Sequence, residues 1–347
     1  MEGKAINKQS GMSLVELMIA LVIGLLLSAA LITIYVSNKK VFWDSESAAI
    51  LQENNRFVLK LIVNDLRMAG FYGQMDYKFI DNKTTGFSNG HCKRGESYDL
   101  SGGGYSGGIS TEYEYSVPVW AVEAGEQIPS CLSGLDVDPN TDILLVKHTR
   151  KKRLASGEST SSNKTYIITG HLPQSGNFLA EHVDGTGDTS LETKLSAAGE
   201  FENGFIWEYV YHAYYVYKPA GSVYSQLKRI KLEKDGWSSP ETVAEGVEDL
   251  HFIFGVHDSS VAGSGMVTRY YSASEVSSAG KWQDVVSATI YLRGRSTMSD
   301  VSYYDEKTYS YGKRADFTPS GTEARYHRKL LETTEVFYNS QFQQNRR

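Results

Sequence analysis

Residues Met12 to Val36 form an unbroken run of 25 apolar or small residues, MSLVELMIALVIGLLLSAALITIYV, interrupted by one ionisable side chain, Glu16. About 20 residues at 1.5 Å rise cover a hydrocarbon core of about 30 Å, so the segment is long enough to cross a bilayer as a helix. From Ser37 to Ala69 the pattern changes: there is no Pro and no Gly, and Leu51, Val58, Ile62, Leu66 and Ala69 recur at helical spacing with Leu61 beside them. Gln52, Glu53, Arg56, Lys60 and Asn64 fill much of the opposite side, which predicts an amphipathic helix. Gly70 stands where a left-handed residue would end it. A single helix over Met12–Ala69 would hold 58 residues and run about 87 Å.

Beyond Gly70 the pattern reads as mostly β. Asp142–Lys147, Thr165–Thr169, Phe205–Tyr217, Gln226–Leu232, Leu250–Val256 and Val285–Leu292 are rich in β-branched and aromatic residues, with turn formers between them. Leu250, Phe252 and Phe254 alternate onto one face, as do Val286, Ala288, Ile290 and Leu292. The aromatic run FIWEYVYHAYYVY supplies many of the chain's 23 tyrosines, a pattern expected of sheet packing before a binding platform. Ser101–Gly108, Gly157–Asn163 and Gly185–Ser190 are the expected loops. The expected fold class is therefore α+β: a long N-terminal helix packed on a large, mostly antiparallel β domain at 71–347, with room for two subdomains.

Composition adds limits. With 347 residues, 22% charged and a formal charge of −6, the chain is neither collagen-like, nor largely disordered, nor polytopic, and it carries no bulk nucleic-acid footprint. A cleaved secretory signal with Lys4 and Lys8 ahead of the apolar run is the alternative to a retained span, but the run is long for that purpose and contains Glu16. A carboxylate in the membrane costs about 2.5–3.5 kcal/mol on insertion scales and needs a partner.

Gly11-Met12-Ser13-Leu14-Val15-Glu16-Leu17-Met18-Ile19 resembles the class III signal of type IV pilins and type II secretion pseudopilins. The resemblance implies a leader at 1–11, cleavage by a prepilin peptidase between Gly11 and Met12, N-methylation of Met12, and Glu16 as the fifth mature residue. It further implies a transmembrane part at 12–36 and an amphipathic periplasmic part at 37–69. Met12 replaces the usual Phe. The chemistry is coherent: a Gly admits the peptidase, and Glu16 of a neighbouring subunit can neutralise the new amine where the pair is desolvated. Arg67-Met68-Ala69-Gly70-Phe71-Tyr72-Gly73 narrows the likeness, since a helix ending in R-x-A-G-F-Y-G resembles the PilW family of minor pilins. Thr141–Val146, Glu245–Phe252, and Trp282 leading into Val285–Leu292 agree with that family.

The resemblance implies a role in type IV pilus assembly, in the initiating or tip complex, with other minor pilins, the major pilin, a tip adhesin and the inner-membrane assembly platform as partners. It places the protein in the inner membrane with its globular domain in the periplasm, then in the pilus. A minor pseudopilin of type II secretion, or a tip-displayed adhesin or DNA-binding pilin, is the alternative. In a periplasmic domain Cys92 and Cys131 are free to pair, and a loop of that size contributes about 4 kcal/mol in the chain-entropy model; two buried thiols are the other reading.

The remaining motifs predict no catalysis, cofactor or metal. Gly104-Tyr105-Ser106-Gly107-Gly108 fits G-x-S-x-G, and Gly102, Gly104 and Gly107 fit G-x-G-x-x-G, but neither has the strand and helix its chemistry requires. Asp136, Asp138, Asn140 and Asp142 alternate like a calcium loop, yet Thr141 and Lys147 stand where Gly and Glu belong, so Asp142 is expected to open a strand. The basic run Lys147–Arg153 reads as a solvated strand end and loop in preference to a DNA contact. The eight histidines show no metal-ligand spacing.

Overall fold

A computed structural model of the chain describes residues 11, 13–73, 75, 80–81, 117–129, 132, 134–171, 178–195, 201–219, 221–222, 224–234, 236–257 and 267–339. It divides into two compact units, Met1–Ile50 and Leu51–Arg347. Helix α1 runs without a break over Leu14–Met68, two residues inside the predicted start and one inside the predicted end. Gly70 adopts φ +75° and donates its N–H to the Lys147 carbonyl at 3.1 Å, so the chain leaves the helix already bonded to a strand.

In the first unit every described side chain from Ser13 to Phe42 is exposed, including the whole apolar run Leu14–Val36. A segment apolar on all sides finds no partner within its own unit. It is the one helix among the described residues with the length and composition to cross a membrane.

In the second unit the helix presents one stripe to the core. Leu51, Asn55, Val58, Ile62 and Leu66 are its buried residues, so the predicted stripe is correct with one polar addition, Asn55. Two sheets dominate. The larger has nine strands: β1 (Ile80–Asp81), β2 (Val119–Val122), β3 (Ile143–Thr149), β4 (Thr165–His171), β5 (Phe178–Asp184), β6 (Glu202–Tyr217), β7 (Gln226–Glu233), β8 (Gly236–Trp237) and β9 (Glu241–Glu245). Its order is β1-β5-β4-β6-β3-β2, with β7 on β6 and both β8 and β9 on β7. All of its pairs are antiparallel except β1 with β5. Strand β6 has 16 residues and serves three partners: Phe205–Glu208 pairs with β4, Tyr209–Tyr214 with β3 and His212–Tyr217 with β7.

The smaller sheet is fully antiparallel, in the order β11-β10-β12-β15, from β10 (Val247–Val256), β11 (Arg269–Ser272), β12 (Val285–Arg295) and β15 (Arg328–Val336). A ribbon of β13 (Tyr309–Tyr311) and β14 (Arg314–Phe317) stands apart, and a short helix α2 (Ala273–Ala279) follows β11 with a capping box from Ser272 and Glu275. The six predicted strands are all present. Most of the missed ones are short or polar edge pieces; β15, for example, exposes or half-exposes most of its side chains, whereas β5 is a seven-residue strand paired on both sides.

One continuous core joins Val58, Ile62, Leu66 and Ala69 of the helix end to Leu144 and Val146, to Tyr214 and Val216, and to Leu250, Phe252, Phe254, Ala288, Ile290 and Leu292. Fully burying an aliphatic side chain of this size contributes roughly 1.5–3 kcal/mol, so three helix residues at zero exposure anchor the stripe firmly. The period of two sends the alternate residues of β3 and β6 the other way. Ile143, Leu145, Tyr209, Tyr211, Ala213 and Tyr215 form a second core with Tyr72 and Leu132. The tyrosines of the aromatic run are therefore mostly packing, as expected.

Candidate functional site

Gly11 is exposed, and a Cβ built on it would meet nothing within 4 Å. Glu16 lies exposed in the first turn of α1, where its Oε2 accepts the Ser13 N–H at 3.2 Å. A carboxylate at this end complements the unsatisfied N–H groups of a helix start, which gives Glu16 a local use besides any contact with another chain. Met12 lies outside the described residues, as do Cys92, Cys131 and the Gly102–Gly108 segment with Ser106.

The motif at the helix end works as a joint. Arg67 forms a two-pronged pair with Glu335 of β15, at 2.9 and 3.1 Å. The Phe71 carbonyl accepts both the N–H and the hydroxyl of Thr149, and the Phe71 ring packs edge-on to Trp207 at 5.6 Å. Tyr72 is fully buried. Further up the helix, Asn55 lies over Gly294 of β12 and donates Nδ2 to the Lys329 carbonyl at 3.3 Å. A Cβ on Gly294 would fall 2.1 Å from Asn55 Oδ1, so the close approach of helix and strand requires Gly there.

The stretches singled out in the later sequence meet one another. Asp142, fully buried at the head of β3, accepts from His251 Nδ1 at 2.8 Å, from the Phe252 N–H at 2.9 Å and from the Ala124 N–H at 2.9 Å. It knits the two sheets together and opens its strand. Glu248 accepts from Arg293 Nε at 2.9 Å and from Arg328 Nε and Nη2 at 2.8 and 3.0 Å. Burial pushes its carboxyl up, but the bond from Arg328 and the charges of Arg293, Arg328 and Arg295 prevail and hold it below the ordinary value. In its neighbour Asp249 the balance reverses: burial outweighs Arg314 and Arg293, and the carboxyl is pushed up.

A third polar cluster gathers residues far apart in sequence. Asp65 Oδ2 accepts from Tyr214 Oη at 2.5 Å and lies 2.5 Å from His212 Nδ1, while Asp65 Oδ1 faces His148 Nε2 at 3.6 Å. The ring of His148 stands edge-on to that of His212, with centroids 6.2 Å apart. Burial opposes ionisation of Asp65, but the two histidines outweigh it and hold the carboxyl far below the usual range. Burial also lowers His212, against the pull of Asp65, and pushes Tyr214 well up. Sheet register explains how the cluster arises. His212 pairs with Val146, so His148, two residues further along β3, emerges on the same face, turned toward α1. No linear spacing of histidines could have signalled it.

The basic run Lys147–Arg153 departs from expectation. Lys147 and His148 are buried within β3, and the Lys147 ammonium sits 5.0 Å over the Tyr211 ring. Arg150 pairs with Glu208 at 2.9 Å, and Arg153 stacks on Phe205 at 4.0 Å. Only its loop half is solvated, because the strand continues to Thr149 and the tyrosine face covers the Lys147 stem.

Family models match both ends of the chain. The model for the prokaryotic N-terminal methylation motif matches residues 6–32, and the model for type IV pilus-assembly protein W matches residues 213–339. The second match runs from the end of β6 through β15 and so takes in the Glu248 cluster and the smaller sheet. No match was found among curated proteins or solved structures. Together the two matches support a PilW-like type IV pilin and point to a structural, pilin-type protein; the methylation motif and the apolar helix fit an anchor in the inner membrane.

Proposed function

We propose that this PilW-like pilin acts in the complex that initiates a type IV pilus and remains at the filament tip. The observation that carries the reading is the exposed apolar surface of Leu14–Val36 with Glu16 as its one acid. Residues 1–11 are the leader, cleaved after Gly11, and Met12 carries the methylated amine. Residues 12–36 cross the inner membrane, and the β domain at 71–347 lies in the periplasm, where Cys92 and Cys131 pair.

Apolar surface of this kind is content in lipid and equally content against other apolar helices. Transfer from membrane to filament therefore costs little, and the order of docking rests on specific contacts. Glu16 supplies one: a buried carboxylate is expensive in either setting until it meets a cation, and the Met12 amine of a neighbouring subunit is that cation. The other minor pilins, the major pilin and a tip adhesin are the partners. The chain has no reaction of its own and is a substrate of the prepilin peptidase. The tip-receptor alternative is weakened at the strand end of the basic run, where Lys147 is buried over Tyr211 and the exposed Arg150 is paired with Glu208.

The test is a count of surface pili by electron microscopy in a deletion strain carrying the intact chain or Glu16→Ala. Pili should vanish on deletion and return only with the intact chain. Unchanged pilus numbers with loss of secreted enzymes would move the protein to type II secretion instead.

A further inference from the structure

The structure assigns a divalent transition-metal site, of the kind that takes Zn²⁺ or Co²⁺, to Asp65 of α1, His148 of β3 and His212 of β6. One ligand atom from each of the three lies within 4.8 Å of the others. Proximity alone would be weak, since a carboxylate beside histidines is common. The orientation of His148 carries the inference.

His148 Nδ1 lies 2.8 Å from the Thr149 carbonyl, an acceptor only, so Nδ1 carries the hydrogen. Nε2 is then the ring atom left to face the cluster. That atom is buried, with the side chain 8% exposed, and it has no hydrogen-bond partner. What it faces is Asp65 Oδ1, a lone-pair atom, at 3.6 Å. A cation must satisfy this pair: a proton on Nε2 in the metal-free protein, or a metal ion that takes the proton's place. The separation is too long for a hydrogen bond. It suits two ligands of one ion: metal–ligand bonds of 2.0–2.1 Å at tetrahedral to trigonal angles place their donor atoms about 3.3–3.6 Å apart.

The other features fit the same chemistry. The bond from His148 Nδ1–H to a backbone carbonyl is the outer-shell contact that fixes a metal-binding imidazole in the right tautomer. His212 supplies the third donor through Nδ1, which exchanges the proton it shares with Asp65 Oδ2 for the metal. Two imidazoles and one carboxylate leave a fourth position for water, beside the Tyr214 hydroxyl. The nearby Arg229 pairs at 3.0 Å with Glu241, which also takes Lys231 at 2.9 Å. The three ligands come from the helix and from two adjacent strands. A bound ion would therefore clip the last turns of α1 to the larger sheet, independently of what the protein assembles into.

The experiment uses the full chain in detergent micelles, stripped with a chelator and titrated with Co²⁺, then Zn²⁺. One equivalent of Co²⁺ should give the visible absorption of a four-coordinate ion, Zn²⁺ should displace it, and Zn²⁺ should raise Tm. His148→Gln and Asp65→Asn should each abolish the band with the far-ultraviolet circular dichroism unchanged. X-ray absorption of the Zn²⁺-loaded wild type, which needs no variant, should show two imidazoles. Absorption no different from free Co²⁺, a band that survives in both variants, or a zinc shell without imidazole would overturn the assignment.

Discussion

Residues 14–36 and residues 51–68 belong to one helix and are held by opposite means. The first stretch is apolar around its whole circumference and buries nothing, whereas the second is apolar along one stripe and buries all of it. A helix apolar on every side needs an apolar solvent or identical neighbours. A striped helix needs one particular surface, here two sheets whose inward residues interlock with Val58, Ile62 and Leu66. Helicity is thus a property the halves share for different reasons, and substitutions should tell them apart.

The largest contrast is expected from truncating one side chain in each half. Ile62→Ala should cost about 2–5 kcal/mol in the denaturant unfolding of the full chain in detergent. Leu26→Ala should stay within about 0.5 kcal/mol, because Leu26 packs on nothing in its own unit. Equal losses would erase the distinction.

The seam itself gives the next effect. Gly294→Ala drives a Cβ into Asn55 and should cost about 1–3 kcal/mol, while adding Asn55→Ala should recover part of that loss. Strict additivity would mean that helix and strand do not meet there. Gly70→Ala is expected to be milder, at about 1–2 kcal/mol. Its Cβ finds ordinary contact with Pro118 at 3.5 Å, and only the φ of +75° is strained.

The subtlest separation comes from acid. Glu248 is held below its unfolded value of 4.5, so the stability it contributes is present above that pH and is lost as pH falls toward its folded value. Asp249 is held above 3.8, so its contribution has the opposite sign, present in acid and lost as pH rises through the folded value. Melting curves below pH 4.5 should therefore flatten in Glu248→Gln and steepen in Asp249→Asn, while the helicity of the apolar half stays constant. Identical profiles in the two variants would count against these opposed shifts.

The helix, its stop at Gly70, its buried stripe and six strands could be read in the sequence because each rests on a local period or a single backbone preference. The edge strands could not: β15 has no apolar face strong enough to announce it, and β13 and β14 are three and four residues long. The joint motif was legible as a resemblance but not as a device, since Arg67 finds Glu335 and Phe71 finds Trp207 across more than a hundred residues of chain.

By itself, then, the sequence determined what depends on neighbours along the chain. The apolar length sufficient for a membrane is one such feature; the lone Glu16 within it, the periodic stripe and the alternation of each long strand are the others. Only the tertiary structure decided what depends on register. A pairing shift of one residue in β3 or β6 would turn His148 or His212 away from Asp65 and bury different tyrosines. That register is held by contacts distant in sequence, such as Asp142 with His251 and Asn55 over Gly294, and no local pattern encodes them.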